Sequence, residues 1–134
     1  MPPVRDRRAM ISGMSPELDP VIYHFCTFAD AEVAKAASDH AIASFTEAEG
    51  ISLVLPDEAA RALGVASDLP MQRITLNVYS ALDGVGLTAA VAGVLAEQGI
   101  ACNMVAAYHH DHAFVPAVDA PRAMEILTGL AARS

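Results

Sequence analysis

A chain of 134 residues and 14.0 kDa suffices for one compact domain or two very small ones. Eight Lys+Arg against sixteen Asp+Glu give a formal charge of −8, which excludes a nucleic-acid surface, because such a surface gains its affinity from basic groups neutralising phosphates. The 54% hydrophobic fraction includes 27 alanines and no apolar run of about 18 residues. No membrane span is therefore expected. The residues after Arg5, Arg7 and Arg8 are too few and too polar for a secretory leader, and a cytoplasmic setting is expected.

Residues 1–20 contain Pro2, Pro3, Pro16 and Pro20 and read as an arm, with one short helix or extended piece near Arg8–Gly13. Val21–Phe28 is β-branched and aromatic and predicts a strand. Asp30 then opens an alanine-rich helix over Ala31–Ser38. Ile42–Glu47 and Ile51–Leu55 flank a glycine-containing break and predict a hairpin. Asp57 is positioned to cap a helix running to Leu63, with Gly64 just past its end. In the second half, Ile74, Leu76 and Val78 alternate with polar residues in a half-buried strand over Arg73–Tyr79. Leu87, Val91, Val94 and Leu95 recur at helical spacing, and Gly99 stands where the helix should stop. Ile100–Tyr108 predicts a strand, His109–His112 a turn and Ala113–Pro116 a short return strand. Asp119 opens a last helix whose first turn holds Pro121.

The order strand, helix, strand, strand, helix thus occurs twice, which predicts an α+β fold of two tandem βαββα units with antiparallel sheets. The expected boundaries are an arm over 1–20, one unit over 21–68 and another over 69–134. Neither unit has a fourth strand of its own, so the N-terminal arm, the other sheet or a second chain must cover an open edge.

The runs Ile74–Ser80, Val85–Ala90, Gly99–Ala106 and Tyr108–Pro116, with Tyr23–Cys26 and Phe45–Pro56, resemble bacterial stand-alone proteins of two tandem ACT domains. These are similar to the regulatory tail of aspartokinases and to arginine-sensing double-ACT proteins. The resemblance implies a ferredoxin-like fold in each half. It further implies a non-catalytic regulatory module and ligand sensor without cofactor, binding a small amino-acid-like ligand where modules meet. A homodimer and a regulated protein partner are expected, because a sensor of this length carries no catalytic domain beside two such modules.

The candidate ligand residues cluster in three places. Asp83, Gly84, Val85, Gly86, Leu87 and Thr88 form a glycine-rich strand-to-helix loop. Glycine admits close approach to the backbone, and the free N–H groups of a helix start attract a carboxylate. The same loop matches G-x-G-x-x-A, but no acidic residue lies between Glu97 and Asp111 to hold a ribose, which argues against a dinucleotide site. Asn103, in the following strand, stands where the aspartokinase pattern usually has Asp. His109 and Asp111 belong to the string His109-His110-Asp111-His112, whose residue types also suit a metal. A small metal-dependent enzyme built on this string is the alternative reading, and an interaction module a third. Thr46, Glu47 and Glu49 occupy the equivalent turn of the first half and would supply an acidic rim. Cys26 and Cys102 make no zinc or C-x-x-C pattern and read as buried thiols.

Overall fold

The computed structural model describes residues 2–134. Its elements are α1 (Arg7–Ser12), β1 (Pro16–Phe28), α2 (Ala31–Ala37), β2 (Ala43–Glu47), β3 (Gly50–Pro56), α3 (Asp57–Ala62), β4 (Met71–Leu76), α4 (Leu87–Glu97), β5 (Asn103–Ala106), β6 (Asp111–Pro116) and α5 (Ala120–Arg133). A 3-10 turn follows α2 and another precedes α5. The chain divides into two compact units, one of Val21–Met71 and one of the residues up to Pro20 together with Gln72–Ser134. Strand β1 runs on from the second of these into the first.

In Val21–Met71, β3 pairs antiparallel with β1, from Tyr23↔Pro56 to Phe28↔Ile51, and with β2, from Ala43↔Val54 to Glu47↔Gly50. Asp30 caps α2 by accepting from the N–H groups of Glu32 and Val33. The core is small: Cys26, Phe28, Leu53 and Leu55 from the strands meet Ala34, Ala37 and Ala60 from the helices. Alanine on both helices lets them lie close to the sheet.

In the other unit the strands follow the order β1-β4-β6-β5. The β1 segment is the one that precedes Val21: Gln72 Nε2 donates to the Asp19 carbonyl, Arg73 pairs with Asp19 at 2.9 Å, and Asn77 Nδ2 donates to the Ser15 carbonyl. These contacts make the two segments run in opposite directions. Residues of the N-terminal stretch thus supply a fourth strand beside β4. Helix α1 goes further and places Met10, Ile11 and Met14 in the core with Ile74, Leu76, Leu87, Val91, Leu95, Ala113, Val115 and Leu127. The apolar alternation of β4 and the helical stripe of α4 therefore face inward, as their periodicities require.

Several elements differ from the sequence expectation. Strand β1 starts at Pro16 rather than Val21. Pro20 lies outside the β3 register, which begins at Tyr23, so its missing N–H costs nothing in that ladder. Strand β5 is confined to Asn103–Ala106, and β6 begins at Asp111 instead of Ala113. Asp111 pairs with Ala106 and His112 with Val105, so half of the expected histidine turn is ladder. Asp57 is the first helical residue of α3, behind Pro56, and makes no cap bond. Asp119 precedes α5 in helical conformation and likewise does not cap it.

Because Met14 is fully buried among strand and helix side chains, Met14→Ala should cost about 2–5 kcal/mol in urea unfolding. A Val33→Ala control, on the exposed face of α2, should cost under about 1 kcal/mol.

Candidate functional site

The glycine-rich loop joins β4 to α4 within one unit. The Gly84 N–H donates to the Ala81 carbonyl at 2.9 Å and closes a tight turn. Gly86 precedes α4 with φ +111°, a conformation that favours glycine. No side chain caps α4. Both glycines are approached by α1: a Cβ on Gly86 would lie 2.6 Å from Arg7 Cδ, and one on Gly84 would lie 3.1 Å from Met10 Sδ. The loop's lack of side chains thus first serves the packing of α1. Gly86→Ala should lower stability by about 1–3 kcal/mol in thermal or urea unfolding, from φ strain and displacement of Arg7.

A cavity of about 120 Å³ remains beside the loop. Gly84, Gly86, Leu87 and Thr88 line it from the loop, together with Met10, Ser80 and Asp111. Asp111 sits at the start of β6, on the face shared with Ala113 and Val115. It is only 9% exposed, and Ser80 Oγ donates to its Oδ2 at 3.0 Å. A carboxylate so far from water needs such a donor. The glycine loop and Asp111, 23 or more positions apart in the chain, are therefore neighbours here.

The other loop residues divide. Leu87 is a core residue. Val85 is exposed, and Asp83, also exposed, forms an ion pair with Arg5 at 3.0 Å. A second cavity, of about 250 Å³, is lined by Pro3, Arg5, Tyr79, Asp83 and Tyr108, and shares Ser80, Ala81 and Leu82 with the first. Tyr79 packs at 6.3 Å from Tyr108 and 5.5 Å from His109. Hydrogen bonding to Tyr108, with burial second, holds the Tyr79 hydroxyl above its ordinary pKa. His109 therefore belongs to an aromatic group with Tyr79 and Tyr108, the two that line this second cavity. Asn103 is exposed on β5 and lines neither cavity. Thr46, Glu47 and Glu49 are exposed on the β2–β3 hairpin of the other unit, where Glu47 accepts from the Ser52 hydroxyl.

The histidine string is dispersed by the pleat. Asp111 turns to Ser80, while His112, half-buried, meets the Thr75 hydroxyl through Nδ1 at 3.0 Å. Among the described residues no three His, Cys, Asp or Glu side chains gather as a metal-binding group. Cys26 and Cys102 are free thiols whose pKa values are raised by burial, which makes both poor nucleophiles.

His24 is not among the candidate residues that the sequence offers. It is 2% exposed, on the core face of β1 with Cys26 and Phe28. Its Nδ1 accepts from the Ser67 N–H at 3.0 Å, which leaves Nε2 to donate to Asp57 Oδ1 at 2.7 Å. Asp57 also pairs with Arg61 at 2.8 Å. The hydrogen bond from His24, and then that from Arg61, holds the Asp57 carboxyl below the usual carboxylate range. The only signal in the sequence was a histidine at an inward position of an otherwise apolar strand. This network ties α3 and the Val65–Ser67 segment to β1 and opens onto none of the cavities described here.

Burial, followed by the charges of Arg73 and His110, lowers the pKa of His112 from its ordinary 6.5. Its neutral form is the one the fold favours, so its contribution to stability is complete above about pH 6.5 and is lost as pH falls below that value. His112→Gln should flatten the decline in urea midpoint between about pH 7 and pH 5.

Residues 2–72 match a family model described as an ACT domain, and residues 72–129 match a second ACT-domain model. Among solved structures, a protein of unknown function from Vibrio cholerae, described as a possible transport protein, is 42% identical. It superposes with a TM-score of 0.81 over 92% of this chain and 94% of its own. A protein from Agobacterium tumefaciens, 17% identical, gives a TM-score of 0.70 over 87% of each chain. The ligand-free regulatory subunit of aspartate kinase from Thermus thermophilus, 8% identical, gives 0.63 over 88% of this chain and 97% of its own. At those identities the last two similarities bear on the fold alone. No curated protein matches the sequence.

Proposed function

This chain belongs to the ACT-domain family, and from that premise we propose that it is a non-catalytic regulatory module that binds a small amino-acid-like metabolite beside the Gly84–Thr88 loop. The observation that carries the proposal is the buried Asp111 carboxylate facing a cavity at the uncapped start of α4. Such a pair of poles suits a zwitterion. The free N–H groups and dipole of the helix start favour a carboxylate, and Asp111 favours an ammonium group. A cavity of about 120 Å³ fits the amino-acid backbone, and the neighbouring space lined by Tyr79 and Tyr108, which shares Ser80, Ala81 and Leu82 with it, offers room for a side chain. In this reading Asp83 lines the outer cavity, His109 packs against its Tyr79 and Tyr108, Val85 is an exposed loop candidate, and Asn103 is a further polar candidate on β5. Thr46, Glu47 and Glu49 are proposed as further ligand-contacting residues, on the β2–β3 hairpin of Val21–Met71.

A regulatory role fits the similarity to the aspartate kinase regulatory subunit, and it requires a regulated protein partner. We also propose a homodimer. No helix among the described residues is long and apolar enough to cross a membrane; we propose a cytoplasmic setting.

Thermal-shift titration against the twenty common amino acids tests the proposal. At least one should raise the Tm in a saturable way, and Asp111→Asn should weaken that ligand about tenfold or more. No stabilisation by any of them at concentrations well above physiological levels would overturn it.

A further inference from the structure

We infer that the arginine-lined cavity between α1 and α5 is a binding site for a compact phosphoryl anion, separate from the proposed amino-acid site. The cavity measures about 410 Å³ and is lined by Arg7, Arg8, Ile11, Arg133 and Ser134. Three of the chain's eight basic residues therefore meet in one place, in a chain of net charge −8 with sixteen acidic residues. Among the described residues none of those acids forms an ion pair with them. The ion pairs formed among the described residues involve Arg5, Arg61, Arg73 and His24, not Arg7, Arg8 or Arg133. Like charges brought together repel one another and raise the local potential, which recruits an anion. Arg133 lies in the last turn of α5, where the helix dipole favours its positive charge, but the dipole does not supply a discrete partner.

The donor type indicates the class of anion. Guanidinium groups present planar forks that bind two oxygens at once, and unlike lysine they keep their charge at any relevant pH. One such fork satisfies a carboxylate. Three arginines lining one space suit a tetrahedral group with several charged oxygens, or two such groups in tandem. Ile11 contributes the sole apolar wall and is itself a core residue, so the floor is held by the packing of α1.

The site also touches the glycine loop through one side chain. Arg7 lines this cavity, while its Cγ and Cδ lie against Gly86, on the edge of the neighbouring cavity. An anion that reorients the Arg7 guanidinium moves a side chain in contact with that loop.

Calorimetric titration with pyrophosphate and with orthophosphate, at ionic strength held constant with potassium chloride, tests the inference on the full chain. Saturable binding is expected, tighter for pyrophosphate. Arg8→Gln and Arg133→Gln should each weaken it about tenfold or more, whereas Lys35→Gln should leave it unchanged. Circular dichroism and Tm confirm folding, and Arg8, exposed on α1, keeps the test intact if Arg133→Gln unfolds. Competition by ADP at the same site would identify the phosphoryl group of a larger metabolite as the occupant, and its failure would identify a free phosphate. Heats no different from the chloride control, binding insensitive to Arg8→Gln, or sulfate and citrate binding as tightly as pyrophosphate would each overturn the assignment. None of these outcomes depends on whether an amino acid binds beside Asp111.

Discussion

Burial of Met10, Ile11 and Met14 against the sheet and helices of residues 72–134 is the interaction on which this half of the molecule depends. The three side chains are almost wholly removed from water, each contributing roughly 1.5–3 kcal/mol. They hold in place a segment that also adds a strand beside β4 and so covers an edge that would otherwise expose unpaired N–H and C=O groups. The same segment defines every cavity described in this unit. Met10 walls the one beside the glycine loop, Pro3 and Arg5 wall the one under the tyrosines, and Arg7, Arg8 and Ile11 wall the arginine cavity. Core packing and site construction are one event there.

The two units repeat an order of elements but place polar groups differently on their inward faces. His24 lies on the core face of β1 and is fully engaged by the Ser67 N–H and by Asp57. Its role is to fasten, because nothing about it is left to offer a ligand. Asp111 lies on the core face of β6 next to space, with the Ser80 hydroxyl as its side-chain partner. A buried carboxylate with room beside it can receive a cation, whereas a buried imidazole with both nitrogens engaged cannot. This contrast is why the ligand proposal rests on one unit.

The glycines of the Gly84–Thr88 loop have a double use. Their absent side chains admit Arg7 and Met10, and the positive φ of Gly86 turns the chain into α4 with its first N–H groups unclaimed by a side chain. A loop read from sequence as ligand-contacting or as merely tight is both tight and next to a cavity. The ACT-domain membership supplies the class of function, and the chemistry of Asp111 and the helix start supplies the ligand class proposed for it.

Much was legible in the residues. The alternation of Ile74 and Leu76, the stripe of Leu87, Val91 and Leu95, the Asp30 cap and the Gly99 stop are local signals, and those elements form there, although the strand expected over Arg73–Tyr79 is Met71–Leu76 and leaves Val78 buried beyond its end. The α+β class and the tandem ACT units follow from them. Other features were not legible because they depend on partners far away in the chain. Pro16, Glu17, Asp19 and Pro20 look like arm residues until Gln72 and Arg73 arrive beside Asp19. Asp57 has the form of a cap until the burial of His24 claims its carboxylate. Asp111 seems a turn residue until the β5–β6 ladder takes it in and turns it toward Ser80. The sequence by itself determined the elements and the family, since periodicity and turn chemistry act within a few residues. Which polar groups meet, and which cavities the first twenty residues enclose, was decided only by tertiary packing, because buried charge and hydrogen-bond satisfaction are properties of neighbours in space.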